Sequence, residues 1–247
     1  MLSIDAFANN GLYIATSNNM ARQKQLEVTS NNAANINTVG FEQDNTVFEQ
    51  RKLKSSKKKK EAYVIIKGNY HTNDQGPLKQ TNRPLDMAVV GNGYFMVLTP
   101  KGPRYTLDGR GIISGNNTLV NHDGHPYSDR EGQPIIFPEQ RNVLDILSDG
   151  TVFADEEEIG IIGVFDFLPK TKLAKEGDNL YSSSNLGFVL EGEDVTVASG
   201  YLRGSNVNST KVLTDMIELQ RSNESSLELI KNIASMEKNT ISKLTKN

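Results

Sequence analysis

SNNAANINTVGF, residues 30–41, decides how this chain is read, because the sequence changes character across it. Upstream, Leu12, Ala15, Asn19, Arg22, Leu26, Thr29, Ala33 and Ile36 recur in steps of three and four, the spacing of one helix face. Within the stretch, Asn31, Asn32, Asn35, Asn37 and Thr38 compete for backbone hydrogen bonds and sit poorly in a helix interior. A helix is therefore predicted to end here, with Gly40 permitting a positive-φ turn. Half of the stripe is polar or small, which makes a weak seam and not a core.

The far end has the same pattern. Met216, Leu219, Asn223, Leu227, Ile230, Ala234, Glu237, Ile241 and Leu244 step by three or four, from a start near Ser209-Thr210 that can cap a helix. At 1.5 Å per residue such a helix is on the order of 50 Å long. The repeat is long enough to suggest a coiled coil, in which Asn223 and Glu237 cost stability and set register. Neither end can bury its stripe alone, which suits a building block better than an enzyme.

Between the ends the period changes. Tyr63–Ile66, Met87–Val90, Tyr94–Leu98, Ile112-Ile113, Thr118–Val120, Ile135–Phe137, Val143–Leu147 and Ile159–Phe167 are short β-prone runs. Gly91-Asn92-Gly93, Gly115-Asn116-Asn117 and three Asp-Gly pairs punctuate them with hairpin turn residues. The spacing is too short for crossover helices, so an irregular antiparallel β domain is predicted. The fold class read from the whole is α+β, with long N- and C-terminal helices pairing as a coiled-coil-like bundle around it. The expected division is an N-terminal helix over 1–40, an extended linker with a first strand over 41–83, a β domain over 84–200 and a C-terminal helix over 201–247.

Composition narrows the function. The chain has 247 residues, 36% hydrophobic, and a net charge of −3, with a mean hydropathy of −0.47. That charge gives no general case for nucleic acid. Cysteine is absent, which excludes disulfides and thiolate metal sites. No apolar run approaches the roughly 20 residues of a membrane span. The opening has no Lys or Arg before Arg22 and no apolar h-region, so a cleaved signal peptide is not expected. The basic segment 51–60, RKLKSSKKKK, reads as a solvated loop, and Asp155–Glu158 likewise. His122-Asp123-Gly124-His125 reads as an exposed turn, since zinc needs three or four ligands. No nucleophile elbow, Walker loop or paired-carboxylate signal stands out. Hence no catalytic residue, metal, cofactor or small-molecule substrate is expected.

SNNAANINTVGF also closely resembles the signature of the bacterial flagellar rod and hook proteins, and Asn10–Ala15 with Met20 and Gln25–Glu27 is similar to their proximal-rod branch. Arg83–Val89, Gly93–Phe95, Tyr105–Gly109, Leu119-Val120 with Asp123-Gly124, Gly204–Asn208, Met216-Ile217 and Gln220-Arg221 fit the same family in order. The chain departs from the pattern at Ala33, Leu107, Gly200–Arg203 and Ser222–Glu224. The resemblance implies an axial subunit of the flagellar basal body. It would be exported unfolded through the flagellar type III apparatus without signal cleavage, and would polymerise helically with itself and other axial proteins to transmit torque. It points to Leu12, Leu26, Asn31, Asn32, Asn35, Phe41, Asn206, Val207, Ile217, Gln220, Leu227 and Ile230 as assembly residues. Two other readings stay open, a distal-rod member and a cell-wall hydrolase. A basic module working through Lys57–Lys60 is a third, and would show salt-dependent binding to anionic lipid or DNA.

Overall fold

The computed structural model describes residues 2–52, 62–71, 75–141, 143–168, 171–190 and 196–244; in 2–14, 50–52, 62–71, 237 and 239–244 it describes the backbone alone. The chain divides into two compact units: residues 1–36, 43–73 and 207–247 form one, and 37–42 with 74–206 form the other.

The first unit holds both helices, α1 (Leu2–Ala34) and α2 (Ser209–Leu244), with a hairpin of β1 (Asp44–Lys52) and β2 (Ala62–His71). α1 ends within the Asn cluster: the Asn35 N–H reaches back to the carbonyls of Asn31 and Asn32, each at 3.2 Å. α2 begins at Ser209, but its cap is Asn208, one residue before the predicted pair. The Asn208 Oδ1 accepts from the Lys211 N–H at 3.0 Å, satisfying one of the orphan donors of the first turn. The hairpin is antiparallel with an irregularity at Val47/Phe48, and it was not foreseen as a strand pair. Arg51 and Lys52 pair with Tyr63 and Ala62, so the basic segment starts inside a strand. Its remainder, 53–60, lies outside the described residues.

The second unit is β. A six-stranded antiparallel sheet runs in the order Leu173–Gly177, Leu180–Ser183, Gly102–Thr106, Tyr94–Thr99, Val164–Asp166 and Phe188–Val189. A three-stranded sheet joins Glu157–Ile161, Thr151–Ala154 and Leu144–Ile146. Met87–Val90 pairs with Thr196–Ser199, and Leu78–Gln80 with Tyr201–Arg203, so the end of the β body returns to its start. Alternation along Tyr94–Thr99 feeds two cores, as a strand's period of two requires. Phe95 and Val97 enter the larger one with Met87, Val89, Tyr127 and Val164; Met96 enters the smaller with Tyr105, Phe165 and Tyr181. Several predicted runs are strands. The run Ile159–Phe167 is two, broken at Gly163, where a Cβ would stand 2.4 Å from the Asp129 carbonyl oxygen. Ile136 makes only an isolated bridge to Thr118.

The α+β class fits, but the expected coiled-coil-like bundle needs correction. Among the described residues there are two helices, not a bundle, and the centre of the chain is mostly β. Nor do the helices meet through a coiled-coil seam. Ala21 is the one buried apolar side chain described on α1, and Val212 the one on α2. Hydrogen bonds cross their contact: the Arg22 Nη1 donates to the Ser222 carbonyl at 3.0 Å, to the Ser222 hydroxyl, and to the Ser226 hydroxyl at 2.8 Å. Small and polar residues fill much of each stripe, and Leu26, Met216, Leu219 and Ile230 are only half-buried.

Candidate assembly interface

The first helix ends in an asparagine that acts as a peptide. Asn32 is 2% exposed. Its Nδ2 donates to the Asp44 carbonyl at 2.8 Å, and its Oδ1 accepts the Asp44 N–H at 3.0 Å. The amide thereby holds the start of β1 to the end of α1, as a neighbouring strand would. Asn35 turns back along its own helix, donating from Nδ2 to the Asn31 carbonyl at 2.9 Å. Asn31 is exposed.

Gly40 and Phe41 belong to the β unit and seat there among groups from distant parts of the sequence. Gly40 has φ +69, and a Cβ on it would lie 2.5 Å from the Leu107 carbonyl carbon, so both conformation and space demand glycine. The Gly40 N–H donates to the Arg203 carbonyl at 2.8 Å, and the Asn206 N–H donates to the Phe41 carbonyl at 3.3 Å. The two sequence motifs, near residues 30–41 and 204–208, thus meet through the backbone. Asn179 Nδ2 donates to the Val39 carbonyl at 2.8 Å, and Lys175 Nζ donates to the Glu42 carbonyl at 2.5 Å while lying 4.4 Å from the centre of the Phe41 ring. The Tyr94 hydroxyl donates to Glu42 Oε2 at 3.4 Å. Burial, and then the Glu42 carboxylate, push the Tyr94 phenol far above its ordinary value.

Arg203 completes this seat. It is buried, and its Nη2 donates to the carbonyls of Val89 and, at 3.0 Å, Gly91. Burial lowers its pKa, against the raising effect of Glu42 and Tyr94. Sequence reasoning noted residues 200–203 as a departure but assigned Arg203 no role; a cation inside an apolar β-run was the available signal. The roles of Arg22, read only as a stripe position, and of Lys175 were hidden because their partners lie 200 and 133 residues away.

The other predicted residues lie along the helices and their approach. Val207 is buried and Asn206 half-buried. Leu26 and Ile230 are half-buried; Ile217, Gln220 and Leu227 are exposed. The Leu12 side chain lies outside what is described. In the β body, His122 is exposed within a turn in which the Asn121 Oδ1 accepts the N–H groups of Asp123 and His125 at 3.0 and 2.8 Å. No described helix is long and apolar enough to cross a membrane.

The sequence is similar to those of known proteins. Residues 12–41 match the family described as flagella basal body rod protein, residues 88–154 the flagellar hook protein FlgE/F/G D1 domain, and residues 198–243 the flagellar basal body rod FlgEFG protein C-terminal. The flagellar basal-body rod protein FlgF of Mesorhizobium japonicum is 30% identical, the match covering 92% of this chain and 94% of that protein. FlgF of Caulobacter vibrioides is 30% identical over 96% and 99% of the two chains, and the rod protein FlgG of Bacillus subtilis is 31% identical over 89% and 93%. Helical ends flanking a β body, with all three matches in chain order, define a flagellar axial protein. The chain belongs to the flagellar basal-body rod protein family, whose members are structural components of the rod.

Proposed function

We propose that this chain is a subunit of the proximal rod, polymerising helically with its own copies and with other axial proteins to carry torque from motor to hook. The observation that carries the reading is the apolar surface left uncovered on α2. Leu213, Ile217, Leu227, Leu229 and Met236 are between 45 and 68% exposed, on a helix with a single buried apolar side chain described. Burying a Leu, Ile or Met side chain fully is worth about 1.5–3 kcal/mol, so neighbours that cover this surface gain far more than the lone chain does. The work is mechanical, done by interlocked helices without bond chemistry.

The proximal position is supported by the Asn10-Gly11-Leu12-Tyr13 opening and by the coverage of the two FlgF relatives. A distal-rod position is the second reading, favoured by the FlgG likeness. Weakly buried helices also suit passage as an unfolded chain through the flagellar type III export apparatus, with ordering at the growing tip. The ordering entropy, roughly 1–2 kcal/mol per residue of backbone, is then met by contacts only the rod supplies. The twelve assembly residues stay part of this reading, Asn32 and Phe41 shaping the subunit and Ile217, Gln220, Leu227 and Ile230 facing neighbours.

Gold labelling of a tagged chain in purified basal bodies tests the position, with label expected at the motor-proximal end of the rod. The double substitution Leu227→Asp, Ile230→Asp is expected to abolish incorporation while the β body stays folded. Normal motility in that mutant would refute the proposal.

A further inference from the structure

The chain holds five pairs of Asn or Asp followed by Gly: Asn10-Gly11, Asn92-Gly93, Asp108-Gly109, Asp123-Gly124 and Asp149-Gly150. In such a pair the glycine nitrogen can attack the side-chain carbonyl carbon and close a five-membered imide, because glycine hinders the approach least. The ring closes only where the two atoms can meet at about 3–3.5 Å, so a held N–H or a held side chain blocks it. The fold blocks four of the five. Gly11 lies well inside α1, where its N–H is committed to the helical ladder. Asp108 is buried, and Arg110 holds both of its carboxylate oxygens. The Gly124 N–H donates to the Asn121 carbonyl at 3.1 Å, and the Gly150 N–H to the Leu147 carbonyl at 3.0 Å. Asn92 differs. It is exposed, in a bend between the strands Met87–Val90 and Tyr94–Thr99. Neither its amide nor the Gly93 N–H has a hydrogen-bond partner among the described residues.

We propose that Asn92 is a site of spontaneous deamidation. The Gly93 nitrogen attacks the Asn92 Cγ; the new C–N bond forms, the Cγ–Nδ2 bond breaks, and the displaced amine leaves as ammonia with the proton of the Gly93 N–H. Water then opens the imide at either carbonyl, giving aspartate or the β-linked isoaspartate. Water is the one co-reactant. The chain gains one negative charge next to Gly91, whose carbonyl accepts from Arg203 Nη2 at 3.0 Å. The β-linked product also adds a carbon to the main chain just before Gly93, which is packed so closely that even a Cβ on it would stand 2.7 Å from Val164 Cγ1. The inference does not depend on the position of the chain in the rod.

The full chain is aged in mildly alkaline buffer made with heavy-oxygen water, digested and mapped by mass spectrometry. Replacement of the side-chain NH₂ by OH carrying the heavy oxygen marks each event that occurred during ageing. Asp149→Asn supplies the comparison, an Asn-Gly pair whose glycine N–H is held by the Leu147 carbonyl. Asp123→Asn supplies a second, held by the Asn121 carbonyl, should the first variant lose the tyrosine near-ultraviolet signal of the folded β unit. In the folded chain Asn92 is expected to convert at least tenfold faster than the introduced pair. In urea the two are expected to convert within about twofold of each other, since only the fold separates them. A folded rate at Asn92 no higher than that of the introduced pair overturns the proposal. So does a tenfold acceleration of Asn92 by urea, which would show that the fold protects it.

Discussion

Asn32 shows how one side chain can join two elements. Its amide offers a donor and an acceptor in the geometry of a peptide group, and both are used by Asp44. An Asn→Ala change removes both partners and leaves a backbone N–H and carbonyl short of hydrogen bonds. Stranding such groups costs about 1–3 kcal/mol when they are shielded from water, and Asn32 itself is nearly inaccessible. Asn32→Ala is expected to lose about that much from the first unit and to leave the β body untouched. Hydrogen exchange at the Asp44 amide reads it: protection falls sharply in the mutant, while amides of the Tyr94–Thr99 strand keep theirs. The residue type was legible in the sequence as a helix-ending asparagine. Its partner was not, because nothing local marks Asp44 as the start of a strand.

At the scale of elements, the segment 37–42 behaves as part of the β body although it follows α1 directly. Val39, Gly40, Phe41 and Glu42 are each held by a group from residues 175–206. Lys175 makes two of these contacts at once, a charge-assisted hydrogen bond and a cation over an aromatic ring. Such a hydrogen bond is worth about 1.5–3 kcal/mol and a cation–π contact at a part-exposed site about 0.5–1 kcal/mol. Lys175→Met keeps most of the stem's packing and loses both. It is expected to cost about 2 kcal/mol, read as a shift in the denaturant midpoint of the tyrosine near-ultraviolet signal, with little change in helix content.

The same scale shows what patterning could and could not give. Gly40 as a positive-φ turn, the end of α1, and strands such as Met87–Val90 were readable because local chemistry decides them. The hairpin β1–β2 was hidden because charge repulsion in the 51–60 segment argued against order, whereas pairing begins before the lysine run. The coiled-coil-like bundle does not hold because period alone does not guarantee apolar volume: Asn19 is buried, and Arg22 joins the helices through Ser222 and Ser226. The hydrogen bonds of Arg22 with Ser222 and Ser226 escape heptad counting.

Across the whole molecule, the two units differ sharply in what holds them. The β unit buries Phe95, Val97, Tyr105, Tyr127, Val164 and Tyr181 almost completely, and edge-to-face ring pairs such as Tyr105–Phe167 at 4.7 Å reinforce them. The helices bury two described apolar side chains between them. Local stability follows buried apolar contact, so the units should not melt together. The chain has no tryptophan, and Tyr105, Tyr127 and Tyr181 are fully buried in the β unit. Five of the eight tyrosines lie in the β unit, so near-ultraviolet circular dichroism reports chiefly that unit, and the 222 nm signal reports chiefly the helices. On heating the isolated chain, the 222 nm signal is expected to fall first, at least about 10 °C below the tyrosine transition. This gap corresponds to about 2 kcal/mol at the 4–8 °C per kcal/mol typical of small domains. Polymerised rod is expected to close the gap, because neighbours cover the exposed face of α2 and binding to the folded state raises its apparent stability. Coincident transitions in the isolated chain would mean that the polar contact of Arg22 with Ser222 and Ser226 suffices to hold the helices, and that neighbours are not needed to order them.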